Sequence, residues 1–269
     1  MFEFGYHQAA GLRAAPSKNA PAVVMPVAST ARPGQAYELL CTMAAQLNAA
    51  GRDAVIVDGS AIEAPERRSR DGSHLGLEHA LQDSSIGGLG APGASGEWLV
   101  MPAAIGLQTL LQTARAGGAV VALSRLLAPF AGGTVVLLYA PAATLGALFA
   151  GVQAQAVVPV LAMPQATIDA YGSLKTLHVA GLWPVLAPMD GEPVANQAPL
   201  AQVVRSVSDC AQRYLNFSVE EWPMATWGRR AQEAALAAPR SHGTAFMAPS
   251  TQPAADWGGP HAALATRWS

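Results

Sequence analysis

Six short apolar runs, each bounded by glycine or proline, alternate along this chain with stretches of helical periodicity. Such runs are typical of buried strands, and strands separated by helices join into a parallel sheet. The predicted strands are residues 22–28, 54–58, 97–102, 134–140, 156–162 and 182–187. The predicted helices are residues 35–50, 105–129 with a break at Gly117 and Gly118, 142–153, 165–177 and 195–215. This alternation predicts an α/β fold, doubly wound, with a mainly parallel sheet and helices on both faces.

The composition is that of one well-buried domain with no bias toward nucleic acid. The chain has 269 residues, 51% of them hydrophobic and 13% charged, which is enough for a large core. A net charge of −2 gives no overall attraction to nucleic acid or anionic lipid. The sequence has no apolar run long enough to span a membrane, and its first residues lack the features of a signal peptide. We therefore expect a cytoplasmic protein, with recruitment to the cell pole or inner membrane face left open.

Two regions depart from the alternation of strands and helices. Residues 61–96 are rich in Arg, His, Gly and Ser, and a loop of that length usually carries function. They also contain His74 and His79, but no set of side chains at metal-ligand spacing, so we expect no metal site. Little periodicity follows Pro223. We divide the chain into a segment at 1–20, an α/β domain at 21–222 and a C-terminal tail at 223–269 that we expect to be mostly flexible.

Two tryptophans lie at the start of that tail. Trp222 and Trp227 flank a short stretch that leads to an alanine-rich helical segment. A membrane-surface helix would need a stronger apolar face than alanine offers. We therefore expect both rings to pack on the domain or to bind a partner, and any membrane contact to be weak or indirect.

The loop after the first predicted strand is the most unusual part of the chain. This strand, the following helix and a second strand that ends on Asp58 form the frame of a P-loop nucleotide site. Such a loop is normally rich in glycine, so that its N–H groups surround the phosphates, and it carries a lysine. Here residues 28–36 contain Pro33, Gly34 and no lysine. The frame predicts a nucleotide-binding fold, but its residues predict that the usual activity is lost.

Three further segments resemble one family. Residues 6–13 read Tyr-His-Gln-Ala-Ala-Gly-Leu-Arg, residues 97–107 contain Met-Pro-Ala-Ala-Ile-Gly-Leu, and residues 164–175 read Pro-Gln-Ala-Thr-Ile-Asp-Ala-Tyr-Gly-Ser-Leu-Lys. All three are similar to segments of the FlhG/FleN family, the MinD-like regulators of flagellar number and placement, and they occur in the same order. The resemblance covers about residues 5–215. It implies a MinD-type (SIMIBI) P-loop NTPase fold with a degenerate nucleotide site.

Compared with that family, this chain lacks the groups that are needed for phosphoryl transfer. ATPase members carry two loop lysines, whose positions fall near Ala31 and Ala36, and a hydroxyl for Mg²⁺ that falls near Tyr37. The family's switch aspartate falls at about Tyr139. Loss of these groups predicts absent or very weak ATPase activity and no cofactor. The degenerate nucleotide site that we predict consists of Ala31, Arg32, Gly34, Ala36, Tyr37, Asp58 and Tyr139.

Two residues of this degenerate site have alternative interpretations. Asp58 could hold a water bound to Mg²⁺, or its carboxylate could cap the next turn, which we favour because the lysine and threonine partners are missing. Arg32 could take the place of a loop lysine, because guanidinium binds phosphate well. However, Pro33 removes an N–H donor from the loop, which favours a solvated Arg32.

Partner contacts are therefore the function that the resemblance implies. In the family, the N-terminal motif docks on the GTPase FlhF, and its glutamine, here Gln8, helps to order the attacking water. The matching contact residues are His7, Gln8, Ala9, Leu12 and Arg13, with His7 standing where the family has Asp. The alternative is that this segment is frayed and that Gln8 only caps a turn. Asp169 and Tyr171 would contact flagellar switch or transcriptional-regulator proteins.

The sequence thus predicts a regulator of flagellar assembly that acts as a monomer through protein contacts and has lost most or all ATPase activity. One alternative is a slow, unusual ATPase whose dimerisation depends on ATP and Mg²⁺. Another is a MinD/ParA-like protein that positions a different envelope machine, such as a cellulose-secretion or pilus system.

Overall fold

The structure of the chain, a computed structural model, describes residues 20–63, 76–90, 98–163, 165–189 and 199–236. The strands in these ranges are β1 (Val23–Ala28), β2 (Ala54–Asp58), β3 (Leu99–Pro102), β4 (Val135–Ala140), β5 (Gln155–Leu161), β6 (Trp183–Met189) and β7 (Glu220–Glu221). The helices are α1 (Pro33–Ala49), α2 (Leu77–Gln82), α3 (Ala104–Gly117), α4 (Ala119–Leu127), α5 (Ala142–Leu148), α6 (Ala166–Val179), α7 (Leu200–Leu215) and α8 (Trp227–Leu236).

In the described ranges the strands form one seven-stranded sheet in the order β3-β2-β4-β1-β5-β6-β7. Every pairing is parallel; β1, for example, runs beside β4 from Val23↔Val135 to Ala28↔Ala140. Parallel neighbours need crossover helices, which the alternating sequence supplies. The predicted fold class, a doubly wound parallel α/β sheet, is confirmed.

Alternate residues of each central strand point to opposite faces of the sheet. In β2, Val55 and Val57 pack with α2 to α7, whereas Ala54 and Ile56 pack with α1 and α8. Both faces of the sheet are therefore buried, which explains why these strands read as continuous apolar runs. Helices on both faces, as predicted, divide the core into two clusters.

The helix boundaries follow glycine and proline. Gly118, with φ of +87°, separates α3 from α4 at the predicted break. The helix predicted at 142–153 ends earlier, at Leu148, and the chain turns through Gly151 at a φ of +78°. α7 begins after Pro199, later than the predicted residue 195. In each case the glycine or proline ends or starts the helix because of the backbone angles that it allows.

The C-terminal part of the described chain packs on the domain. Trp222 and Trp227 are each 1% exposed, and the Trp227 indole N–H donates to the Trp222 carbonyl oxygen at 2.7 Å. Gln46 of α1 accepts a hydrogen bond from the Gly228 backbone N–H at 2.7 Å and donates to the Met224 carbonyl oxygen at 2.9 Å. The packed domain therefore continues past residue 222 to α8, so the start of the predicted tail is structured.

Both tryptophans pack on the domain, which was one of the two outcomes expected for them. The rest of the predicted tail, residues 237–269, lies outside the described residues. No helix in the described ranges is long and apolar enough to cross a membrane.

Candidate functional site

The candidate site lies at the carboxyl ends of β1, β2 and β4, which meet at one edge of the sheet. In open parallel sheets, ligands bind at this edge. The backbone N–H of Ser29, just after β1, donates to the Ala140 carbonyl oxygen at 2.8 Å. The N–H of Gly59, just after β2, donates to the Tyr139 carbonyl oxygen at 2.8 Å. Both loops are thus held against the end of β4.

A buried tyrosine holds the loop after β1. Tyr139 is fully buried, and its hydroxyl oxygen accepts a hydrogen bond from the Thr30 backbone N–H at 3.3 Å. The Thr30 hydroxyl in turn donates to the Arg32 carbonyl oxygen at 3.0 Å. Burial raises the pKa of Tyr139 above its ordinary value. A neutral phenol therefore stands where the family resemblance places a carboxylate.

A second tyrosine, from α1, closes on the end of β2. The Tyr37 hydroxyl donates to Asp58 Oδ2 at 3.1 Å. Burial, and then the neighbouring Asp58 carboxylate, raise the pKa of Tyr37 because both disfavour a phenolate there. At the position where the resemblance expects a hydroxyl for Mg²⁺, the chain has a phenol bound to the aspartate.

Asp58 also caps the turn that follows β2. Its Oδ1 atom accepts hydrogen bonds from the Ser60 N–H at 2.9 Å and the Ser60 hydroxyl at 2.6 Å. Asp58 is only 4% exposed, and with Tyr37 on Oδ2 and Ser60 on Oδ1 both of its oxygens are used by protein groups. This is the turn-capping interaction that the sequence favoured for Asp58.

Helix α1 starts early enough to include much of the predicted phosphate loop. Pro33 is its first residue, and the Ala36 N–H already donates to the Arg32 carbonyl oxygen at 3.3 Å. Ala31, Arg32 and Gly34 are exposed, in accordance with the favoured interpretation of Arg32 as solvated, whereas the Ala36 side chain is fully buried in the core. Four residues, 29–32, remain between β1 and α1. The N–H groups of Ser29, Thr30 and Ala36 are already engaged and Pro33 has none, which leaves fewer donors for a phosphate than the cradle of a P-loop provides.

The structure brings together only part of the predicted set of residues. Tyr37 hydrogen-bonds to Asp58, and Tyr139 hydrogen-bonds to the backbone of the loop between β1 and α1. Tyr171 lies elsewhere, with its ring against Tyr214 at a centroid distance of 6.5 Å. The N-terminal motif at 6–13 lies outside the described residues. Within the described ranges, no group of three or more His, Cys, Asp or Glu side chains could hold a metal ion.

Beside the closed loop is a cleft of about 200 Å³, here called the β5 cleft. It lies between residues 28–31, the end of β5 and the first turns of α6. Ala31 and Asp169, which the sequence assigned to different surfaces, both line it. Its complete lining is Ala28, Ser29, Thr30, Ala31, Val158, Pro159, Leu161, Met163, Ala166, Asp169, Ala170 and Ser173.

Sequence reasoning missed Glu63, a buried carboxylate that joins two helix starts. Glu63 Oε2 accepts hydrogen bonds from the N–H groups of Ile105 at 2.6 Å and Gly106 at 2.9 Å, and its Oε1 accepts from the Glu78 N–H at 2.6 Å. The sequence feature that could have pointed to Glu63 is Ala103, which has no capping side chain at the start of α3. The free N–H groups of a helix start need an acceptor, so another residue had to supply one.

The same contact explains the glycine of the segment at 97–107. A Cβ atom on Gly106 would lie 2.7 Å from the Leu77 side chain and 2.8 Å from the Glu78 nitrogen. Glycine thus allows α2 and α3 to approach closely. Glu63 and Gly106 together position the helix that follows β3, so their role is structural.

Comparisons with known proteins show similarity in the backbone fold alone. No protein-family model matches the chain, and no curated protein matches it. Among solved structures, apo McdA from Cyanothece is 12% identical, with a TM-score of 0.49 over 77% of this chain and 90% of that one. Cobyrinic acid a,c-diamide synthase from Mycobacterium smegmatis, with bound ATP analog and magnesium, is 18% identical, with a TM-score of 0.46 over 78% and 91%.

A ParA family ATPase from Chlorobium tepidum is 11% identical, with a TM-score of 0.42 over 84% of this chain and 94% of that one. Likeness at these levels assigns no activity. The class of the protein is therefore defined by its own strand order and register, as a doubly wound parallel α/β domain whose β1–α1 loop is closed by side chains.

Proposed function

We propose that the chain is a regulator of flagellar assembly of the FlhG/MinD type, which acts by protein contacts and has lost its ATPase activity. Support for the protein-contact role comes from the three segments that resemble the FlhG/FleN family, above all residues 6–13. Support for the lost activity comes from the degenerate site, where the expected cationic and metal-binding groups are absent and the remaining carboxylate is used internally.

The observation that most supports the proposed loss of ATPase activity is the Tyr37–Asp58 hydrogen bond of 3.1 Å. In a working site of this kind, a hydroxyl and a carboxylate at these positions would face a metal ion and its waters. Here they bind each other, while the neighbouring Thr30 N–H is bound by Tyr139 at 3.3 Å. A metal ion and its waters at Asp58 would have to break the Tyr37 contact, and a phosphate at the loop would have to displace Tyr139 from the Thr30 N–H, without a loop lysine to compensate.

Calorimetry with ATP and Mg²⁺ tests the loss of nucleotide binding. We expect no binding tighter than a dissociation constant of about 100 μM, which corresponds to roughly −5.5 kcal/mol. Tighter binding would overturn this part of the proposal and favour the alternative of a slow ATPase. Size-exclusion chromatography with and without ATP would then show whether dimerisation depends on the nucleotide.

Stimulation of FlhF tests the regulatory role. The chain with all 269 residues is mixed with FlhF and GTP turnover is measured. We expect stimulation that is lost in Gln8→Ala, because Gln8 stands at the position of the glutamine that orders the attacking water in the family. Gln153→Ala is a matched control, since Gln153 is an exposed glutamine in the turn after α5. Absence of stimulation, or equal stimulation by Gln8→Ala, would overturn the activator role.

A further inference from the structure

The β5 cleft lies where two neighbouring strands send their helices to opposite faces of the sheet. After β1 the chain enters α1, which packs on the face that it shares with α8. After β5 it enters α6, which packs on the opposite face. A crevice opens between the strand ends at such a point, and ligands of open α/β sheets bind in crevices of this kind. Its position alone therefore makes the β5 cleft a candidate binding site.

The walls of the cleft are apolar, with one charge at the edge. Val158, Pro159 and Met163 contribute apolar surface from β5 and its end, and α6 contributes Ala166 and Ala170. The polar groups come from Ser29 and Thr30 on one side and from Asp169 and Ser173 on the other. Among the residues that line the cleft, Asp169 alone carries a charge.

An anion is disfavoured in this cleft, although the first turn of α6 borders it. The N–H of Ala166 donates to the Met163 carbonyl oxygen, and the N–H groups of Ile168 and Asp169 donate to the Gln165 carbonyl oxygen. Across the cleft, the N–H groups of Ser29 and Thr30 are also engaged. These backbone donors are therefore already used, and the Asp169 carboxylate would repel a phosphate or another carboxylate.

The chemistry of the cleft instead matches a cation on a short apolar stem. A carboxylate binds an ammonium or guanidinium group by charge-assisted hydrogen bonds, and the methylene groups of such a ligand pack against apolar walls. A volume of about 200 Å³ is smaller than the roughly 300–1,000 Å³ that is usual for larger ligands. We propose that the β5 cleft binds an alkylammonium or guanidinium group, from a free amine or from a basic side chain of a partner protein.

Two probes carry this chemistry, and they distinguish its sources. Agmatine carries a guanidinium and an ammonium group at the two ends of a short stem, and the peptide acetyl-Leu-Arg-Leu-amide presents a guanidinium group as a partner would. Ile168, which is adjacent to Asp169, is 70% exposed and available to a partner's apolar residue. If the source is a partner, the peptide binds about tenfold tighter than agmatine and loses this advantage in Ile168→Ser. If the source is a free amine, the two probes bind alike.

Calorimetry on the full chain, with both probes, tests the proposal. We expect at least one probe to bind with a dissociation constant below about 1 mM, and Asp169→Asn to weaken it by at least about tenfold. Asp209→Asn, on an exposed position of α7 outside the cleft, is the matched control. The peptide acetyl-Leu-Glu-Leu-amide should not bind.

A second variant, Ser173→Leu, keeps the carboxylate and fills the cleft, so it should also abolish binding, with circular dichroism confirming the fold. The proposal is overturned if neither probe binds with a dissociation constant below about 1 mM, or if Asp169→Asn leaves the binding unchanged. The proposal is also overturned if inorganic phosphate binds more tightly than agmatine. None of these results depends on Gln8 or FlhF, so failure here is distinguishable from failure of the flagellar role.

Discussion

The loop after β1 and the cleft after β5 lie side by side at the same edge of the sheet, and only one of them is open. The first is closed by two tyrosines, Tyr37 and Tyr139, whose hydroxyls bind Asp58 and the loop backbone. The second is bordered on the helix side by small residues, Ala166, Ala170 and Ser173. The fold thus provides the position of a site, while the size and hydrogen bonding of a few side chains decide whether a ligand can enter.

The largest expected effect comes from returning a lysine to the closed loop. Ala36 is fully buried in the core, so Ala36→Lys buries an uncompensated charge and should lower the free energy of unfolding by about 3–5 kcal/mol. Ala31→Lys, at the other expected lysine position, is exposed and should change it by less than about 0.5 kcal/mol. Urea denaturation measures both. An Ala36→Lys protein that is as stable as wild type and binds ATP would mean that the loop is open.

Two substitutions of Tyr139 separate the contribution of ring packing to stability from that of the hydrogen bond to the closed loop. Tyr139→Ala removes a fully buried ring and should cost about 3–5 kcal/mol of the free energy of unfolding. Tyr139→Phe keeps the ring but leaves the Thr30 N–H without its acceptor, at a cost of about 1 kcal/mol. Thermal and urea denaturation give both values. Equal losses would show that the ring itself contributes little.

Asp58 and Asp83 form a natural matched pair, one at the end of β2 beside the closed loop and one just after α2. Each accepts hydrogen bonds from the N–H and the hydroxyl of the serine two residues later, at 2.9 and 2.6 Å. Asp58 is buried and also binds Tyr37, so Asp58→Ala should cost about 1.5–3 kcal/mol. Asp83→Ala should have the smaller effect because water can replace the lost contacts. Similar losses, measured by urea denaturation, would assign the cost to the turn alone.

The smallest expected effect is a dependence of stability on alkaline pH. Burial raises the pKa of Tyr37 and of Tyr139, so in the folded protein both phenols stay neutral above the ordinary tyrosine pKa of about 10. The unfolded chain then binds fewer protons than the folded chain, and stability falls as the pH rises above about 10. Tyr37→Phe should flatten this fall. An unchanged slope in denaturation midpoints between pH 9 and 11 would exclude a half-buried Tyr37 that stays neutral above pH 10.

Much of the fold could be predicted because local patterns carry it. The continuous apolar runs marked the central strands, and Gly117 and Gly118 marked the break between α3 and α4. Helix α8 was less evident because its buried face consists of alanines and two nearby tryptophans instead of periodic aliphatic residues. Its stability comes from packing on Gln46 and the rest of α1, which no local pattern reports.

The candidate site could be predicted only as a set of positions along the chain. The resemblance placed Ala31, Ala36, Tyr37, Asp58 and Tyr139 around one loop but could not say which of them touch. It also left Glu63 without a role, because its three N–H donors come from segments 15 to 43 residues away.

By itself, the sequence determined the doubly wound α/β class and the absence of lysine from the loop, since both follow from residue types and their local order. Only the tertiary structure decided that this loop is closed and that the β5 cleft is open. The reason is distance along the chain: Tyr139 reaches Thr30 across 109 residues and Tyr37 reaches Asp58 across 21. Such contacts exist only once β1, β2 and β4 are aligned in register, because parallel pairing brings their carboxyl ends to one edge.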